Sequence, residues 1–330
     1  VKVSTAHYVF PALYCNLKLA DFLKYLPQEL VSYMEHITDI NRERNKKIVT
    51  QAKDLNSLLL ANNITPIFLK GTGNLLAGIY KDIGERMVGD IDFIFSKQDY
   101  PKAITVLRNN GYSCGRNYKY HCPTNRHYHR LQKENNIAAI EIHSALLDIK
   151  KYTNEFNYSF VEKDSQVIKG VTVLSYANKL NLSIISNQIN DDGFYYKSMA
   201  LRDAYDVFLL SKKINAKAAV NTLDKLTNPL NYFLAACYEA FNKVESLEYN
   251  NTKKVASYLN VFNSQFTNPK TTKRRNKRIK KYLFIKSRLN VLYKALVYKE
   301  YRVWFFNVLN DKKGDLKLIQ LVIKNRKITK

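Results

Sequence analysis

Apolar residues recur along this chain with two different periods, and the change of period marks its organisation. Between about residues 16 and 63, Leu19, Phe22, Leu23 and Leu26, and then Ile48, Ala52, Leu55, Leu58 and Leu59, return at helical spacing. Asn62-Asn63 breaks that pattern ahead of Ile64 to Lys70, a short run of buried-strand type. Leu75, Leu76 and Ile79 share one face of a helix predicted over Thr72 to Tyr80. Its first turn opens at Gly71-Thr72 and turns unpaired backbone N–H groups toward the strand end, where an anion is favoured. Lys81 to Gly89 reads as a loop, Asp90 to Phe95 as an apolar strand, and Tyr100 to Asn110 as a helix stopped by Asn110-Gly111. Tyr128 to Lys133 and Ile137 to Leu146 read as paired strands around the turn Glu134-Asn135-Asn136. Past Tyr176 helical periodicity dominates. The pattern therefore predicts an α+β protein: an N-terminal helical segment at 1–63, a mixed domain at 64–174, and a mainly helical domain at 175–330.

The chemistry concentrates in the mixed domain. Side chains alternate along a strand, so Asp90 and Asp92 face the same way while Ile91 and Phe93 enter the core. Two carboxylates that close repel unless a cation lies between them, and Mg²⁺ (or Mn²⁺) suits such oxygen ligands. Glu141 and His143 share one face of a later strand whose other face carries Ile140 and Ile142, which makes a third carboxylate available. Glu141 either completes the metal set or takes a proton from an attacking hydroxyl; His143 contacts substrate, orients Glu141, or has a plain hydrogen-bonding role. Gly71 lets main-chain N–H groups approach a phosphate and Thr72 adds a hydroxyl, although the same pair is also an ordinary strand-to-helix turn. Lys70 or Arg86 would offset phosphate charge, and Arg86 could instead pair with Glu85 or Asp82. Cys114, His121, Cys122, His127 and His129 do not have the spacing of a common zinc finger or knuckle.

Fifty-three basic against 28 acidic residues give a formal net charge of +25, which favours polyanionic company or reflects the lysine and asparagine bias of an AT-rich genome. Lys270 to Lys281 holds Lys273, Arg274, Arg275, Lys277, Arg278 and Lys280 with no acid, either as a solvated face or as a contact surface for a phosphate backbone. Four scattered cysteines do not make a disulfide framework, no apolar run has the length of a membrane span, and no signal-peptide layout opens the chain. A soluble, cytoplasmic protein is expected.

Leu69-Lys70-Gly71, Ile79-Tyr80, Arg86, Gly89-Asp90-Ile91-Asp92, Gly111-Tyr112 and Glu141-Ile142-His143 together resemble the bacterial family of uncharacterised nucleotidyltransferases, within the polymerase-beta-like superfamily. The resemblance covers roughly residues 55 to 150, and Leu201-Arg202-Asp203-Ala204-Tyr205-Asp206 extends it more weakly toward residue 210. It implies a nucleotidyltransferase fold, a small mixed sheet with flanking helices, and Mg²⁺-dependent transfer of a nucleoside monophosphate from an NTP to an acceptor hydroxyl. On that implication Asp90, Asp92 and Glu141 hold metal, while Lys70, Gly71, Thr72, Arg86, His143 and Arg202 serve the nucleotide. Arg202 and Asp206 could equally form an i,i+4 ion pair on a helix surface. Superfamily members modify tRNA, proteins, antibiotics and sugars, and some are toxins that add nucleotides to RNA. The basic balance favours an RNA or tRNA acceptor, with a small molecule, a protein, or a non-catalytic nucleic-acid-binding module as the alternatives.

Overall fold

A computed structural model describes residues 1–114, 126–147, 149 and 152–310 (backbone only at 308–310). Helices α1 (Lys2–Ala6), α2 (Phe10–Leu19) and α3 (Gln28–Leu60) precede the sheet. The described strands are β1 (Ile67–Phe68), β2 (Asp90–Ile94), β3 (Ser113–Cys114), β4 (Leu131–Gln132), β5 (Ala139–His143), β6 (Gln166–Ile168) and β7 (Val171–Val173). They form one mixed sheet in the order β3-β4-β5-β2-β1-β7-β6. The central β2 runs parallel to β5 and antiparallel to β1, and β1 runs parallel to β7. Helices α4 (Lys70–Leu76), α5 (Asp99–Asn109) and α6 (Tyr158–Lys163) are interleaved with these strands.

Burial follows the predicted periodicity in the strands and in the second half of the N-terminal segment, but not at Leu19 and Phe22, which are exposed because the chain leaves the helix between Leu19 and Gln28. Ile91 and Phe93 of β2 and Ile140 and Ile142 of β5 are fully buried, as are Ile48, Ala52, Leu55 and Leu59 along one face of α3. Phe68, Phe93 and Phe95 meet edge to face at centroid separations of 5.7 and 5.3 Å, the geometry that ring quadrupoles prefer. The β1 strand is shorter than the apolar run Ile64 to Lys70, because α4 starts at Lys70, two residues ahead of the expected first turn, and ends at Leu76 before Gly78 at φ +64°.

The hairpin β6–β7 turns at Lys169 and Gly170, with φ of +49° and +79°. Two consecutive positive φ values match the right-handed twist of a tight hairpin. Helices α7 (Tyr176–Ile185), α8 (Gly193–Tyr196), α9 (Leu201–Ser211), α10 (Ala216–Asn221), α11 (Thr227–Ala240) and α12 (Lys253–Thr267) follow. The described residues divide into two compact units, one up to Asn260 and the other from Val261. The second contains the long helix α13 (Pro269–Val297) packed on α14 (Lys299–Asn310). No helix among the described residues is long and apolar enough to cross a membrane.

Candidate active site

The register of two parallel strands builds the site. Asp92 lies opposite Glu141, Ile94 opposite His143 and Asp90 opposite Ala139, so alternation delivers Asp90, Asp92, Glu141 and His143 to the same face of the sheet. Ligand atoms of Asp92, Glu141 and His143, all buried, gather within 4.8 Å of one another. His143 Nε2 stands 2.8 Å from Asp92 Oδ1 and 3.8 Å from Glu141 Oε2. Asp90 is on the same face but partly exposed, and Arg130 Nη2 reaches to 3.9 Å from its Oδ2. The close cluster is thus two carboxylates and an imidazole, with Asp90 beside it.

Lys70 faces these acids. Its Nζ lies 2.5 Å from Asp92 Oδ1 and 3.9 Å from Glu141 Oε2. Burial opposes charge on Asp92, but Lys70 and the His143 bond outweigh it and hold that carboxyl below the usual carboxylate range. Burial and then the charges of Asp92 and Glu141 push Asp90 up to about 7, and burial and then Asp92 raise Glu141. Burial, reinforced by Lys70, lowers His143 to about 3, so its imidazole is neutral at neutral pH. A neutral ring that donates through Nε2 to Asp92 leaves Nδ1 as an acceptor, and that buried atom has no hydrogen-bond partner.

The glycine turn is locked onto the acidic strand. Leu69 N–H donates to the Asp92 carbonyl at 2.9 Å, and the Thr72 hydroxyl donates to the Asp90 carbonyl at 2.9 Å. A Cβ at Gly73 would lie 2.6 Å from the Phe68 carbonyl oxygen, so only glycine permits this approach of helix to strand. A Cβ at Gly71 would lie 3.0 Å from Val88 Cγ2 and 3.6 Å from the Arg86 guanidinium. Thr72 is therefore fully buried and engaged with backbone.

Arg86 is fixed by a different set of acids. Its Nε bonds Asp206 Oδ1 and Oδ2 at 3.0 and 3.1 Å, Nη2 lies 2.9 Å from Asp206 Oδ2 and 4.0 Å from Asp203 Oδ1, and Nη1 donates to the Met87 carbonyl at 2.8 Å. The Tyr80 hydroxyl adds a 2.7 Å bond to Asp206. Neither Glu85 nor Asp82 takes Arg86: Asp82 is held by Arg42, and Glu85 accepts from Tyr205. Asn41 and Asn45, one turn apart on α3, both donate to the Arg86 carbonyl, at 3.1 and 2.7 Å. Arg202 stands 3.6 Å from Asp203 and beneath the Tyr8 ring, so the i,i+4 partner Asp206 belongs to Arg86 instead. Of the cysteines and histidines considered together, the His127 ring lies 5.3 Å from that of His143, while His121 and Cys122 fall outside the described residues.

A family model described as uncharacterised nucleotidyltransferase matches residues 1–242. The chain belongs to that family. It is an enzyme family of nucleotidyl transfer, and the matched span carries every residue of the cluster described above. The antibiotic-resistance factor ANT(2'')-Ia is similar at 13% identity, over 61% of this chain and all of that one, with a TM-score of 0.38. JHP933 from Helicobacter pylori is similar at 14% identity, over 74% of this chain and 97% of that one, with a TM-score of 0.31. No curated protein matches.

In this nucleotidyltransferase, the sequence reading named Arg86 but missed its pairing with Asp206 and Tyr80 and its support by Asn41 and Asn45 of α3. One signal was available: Asn41 and Asn45 are amides at helical spacing on the face that also carries the buried Ile48 and Ala52.

Proposed function

We propose that the protein transfers a nucleoside monophosphate from an NTP to an acceptor hydroxyl, with a divalent cation at Asp92, Glu141 and Asp90, and that the acceptor is RNA. The observation that carries the reading is the convergence of three carboxylates on one sheet face beside Lys70 in a chain of this family.

The donor set fits a divalent cation. Asp92 and Glu141 supply oxygens suited to Mg²⁺ or Mn²⁺, and the ligand atoms of Asp92, Glu141 and His143 already lie within 4.8 Å of one another. When bound, such an ion offsets charge on the attacking and leaving oxygens of an in-line displacement at the α-phosphate. Asp92, held ionised by its neighbours, is the permanent anionic ligand. Glu141 gives up its more tightly held proton as the cation binds and completes that ligand set. Lys70 and the Gly71 main chain serve the phosphate tail, Thr72 keeps that turn against β2, and Arg86 with Asp206 holds the loop that leads into Asp90. Arg202 is a more distant nucleotide contact.

The charge supports RNA as acceptor. Helix α13 has no acidic residue along its length, and its first half carries Lys270, Lys273, Arg274, Lys277, Arg278 and Lys281 on exposed positions. A phosphate backbone meets such a row with release of counterions. The test is incubation with each α-labelled NTP, Mg²⁺ or Mn²⁺, and total RNA, protein and small-molecule extracts in parallel. Label in RNA that is lost in Asp92→Asn and weakens steeply with salt supports the proposal. Label in protein or small molecules keeps the transfer and removes RNA; no label from any NTP with either cation refutes the transfer.

A further inference from the structure

Lys70 is set apart by its backbone as well as by its contacts. It holds φ at +49°, in the left-handed region that side-chain-bearing residues rarely adopt, and this aims its ammonium back across the strand end at Asp92. The oxygens it meets, Asp92 Oδ1 at 2.5 Å and Glu141 Oε2 at 3.9 Å, belong to the set that would ligate a divalent ion. Cation and ammonium compete for that set, since ligand oxygens lie about 2.0–2.6 Å from Mg²⁺ or Ca²⁺ and two positive centres so close repel where water is scarce. Uptake of one disfavours the other.

The contrast with Arg86 shows which kind of pair this is. Arg86 is buried, bonded through Nε, Nη1 and Nη2, and rigidly planar. Lys70 keeps about a quarter of its side chain exposed and carries a compact charge on a flexible stem, so it has room and freedom to leave.

We propose that Lys70 is the resting counterion of this site. It neutralises Asp92 and Glu141 in the free protein, gives way as a divalent cation is taken up, and then carries its charge to the phosphates of the nucleotide. The last step rests on the nucleotidyl-transfer reading; the exchange at the carboxylates does not.

Calorimetric titration of Lys70→Met with Mn²⁺ at pH 8, without nucleotide, tests the exchange. The variant binds Mn²⁺ more tightly than the wild type, by about tenfold or more, because no ammonium must be displaced. A non-hydrolysable triphosphate titrated with saturating Mn²⁺ binds the variant more weakly by a similar factor. Unchanged or weaker Mn²⁺ binding in the folded variant overturns the inference. Tighter Mn²⁺ binding with no triphosphate binding to either protein sustains the exchange and overturns the phosphate step together with the transfer reading. Should Lys70→Met not fold, ¹⁵N-lysine ammonium spectra of the wild type decide: the ion-paired Lys70 signal must give way at saturating Mg²⁺, and a signal that stays in place overturns the exchange.

Discussion

Lys70 and Lys179 sit beside the C-terminal ends of neighbouring parallel strands, β1 and β7, and each lies on the helix that follows its strand. Lys70 is surrounded by Asp92 and Glu141, which outweigh the effect of burial and raise its ammonium above the ordinary lysine range. Lys179 is buried with its Nζ donating to the Leu174 carbonyl, and burial alone lowers it to about 7. The same side chain is thus a held charge in one place and an amine that titrates near neutral pH in the other. Position at a strand end does not decide what a buried lysine does; the acids on the adjacent strands do.

Four experiments break or sharpen that comparison. Asp92→Ala brings Lys70 closer to the situation of Lys179, leaving it one carboxylate at 3.9 Å. The variant should lose nucleotidyl transfer and lose about 3 kcal/mol of stability in urea unfolding, as expected when one partner of a buried pair is removed.

Lys179→Met acts in the opposite direction. An unfolded lysine titrates near 10.4. Between pH 7 and about 10 the unfolded chain therefore binds the proton that folded Lys179 lacks, and wild-type stability rises with pH across that window. The slope from this one group approaches about 1.4 kcal/mol per pH unit, and it disappears in the variant, which is the more stable protein at pH 7. Urea midpoints at pH 7, 8.5 and 10 check both statements.

Asp90 supplies the third. Its carboxyl, pushed up to about 7, must lose a proton before it can help hold a cation. Mn²⁺ affinity of the wild type should fall as pH drops below 7, by up to about tenfold per unit, and Asp90→Asn should show a shallower fall over the same range, with Glu141 still to be deprotonated. The smallest effect belongs to Thr72→Val, which removes the hydroxyl from the Asp90 carbonyl and should cost about 1 kcal/mol, with cation affinity changed little.

How much of this was legible depends on how local each cause is. Strand alternation put Asp90 and Asp92 on one face, and Glu141 with His143 on another strand, and the parallel register joins those faces. The helices Asp99–Asn109 and Tyr176–Ile185 and the hairpin around Asn135, at φ +64°, also follow local rules. Lys169-Gly170 between Val167-Ile168 and Val171-Val173 was an equally local hairpin signal, in a stretch where no element was assigned from the sequence. The partner of Arg86 was not legible, because Asp206 lies 120 residues away and nearer acids at 82 and 85 compete on paper. The Lys70 ion pair was hidden for a related reason: it depends on one left-handed φ and on a strand 22 residues further on. His143 and Asp90 divide their roles by burial, which a period of two does not reveal.

The parallel pairing of β2 with β5 has a consequence for how this protein can fail. A slip of β2 by one residue would turn Asp90 and Asp92 toward the space filled by Ile91 and Phe93, and drive those apolar groups to the other side. Hydrophobic packing and the meeting of the acids are therefore enforced by one alignment. Loosening the strands dissolves the molecule before it merely misplaces the carboxylates, so an inert but intact version of this protein has to be made by exchanging side chains.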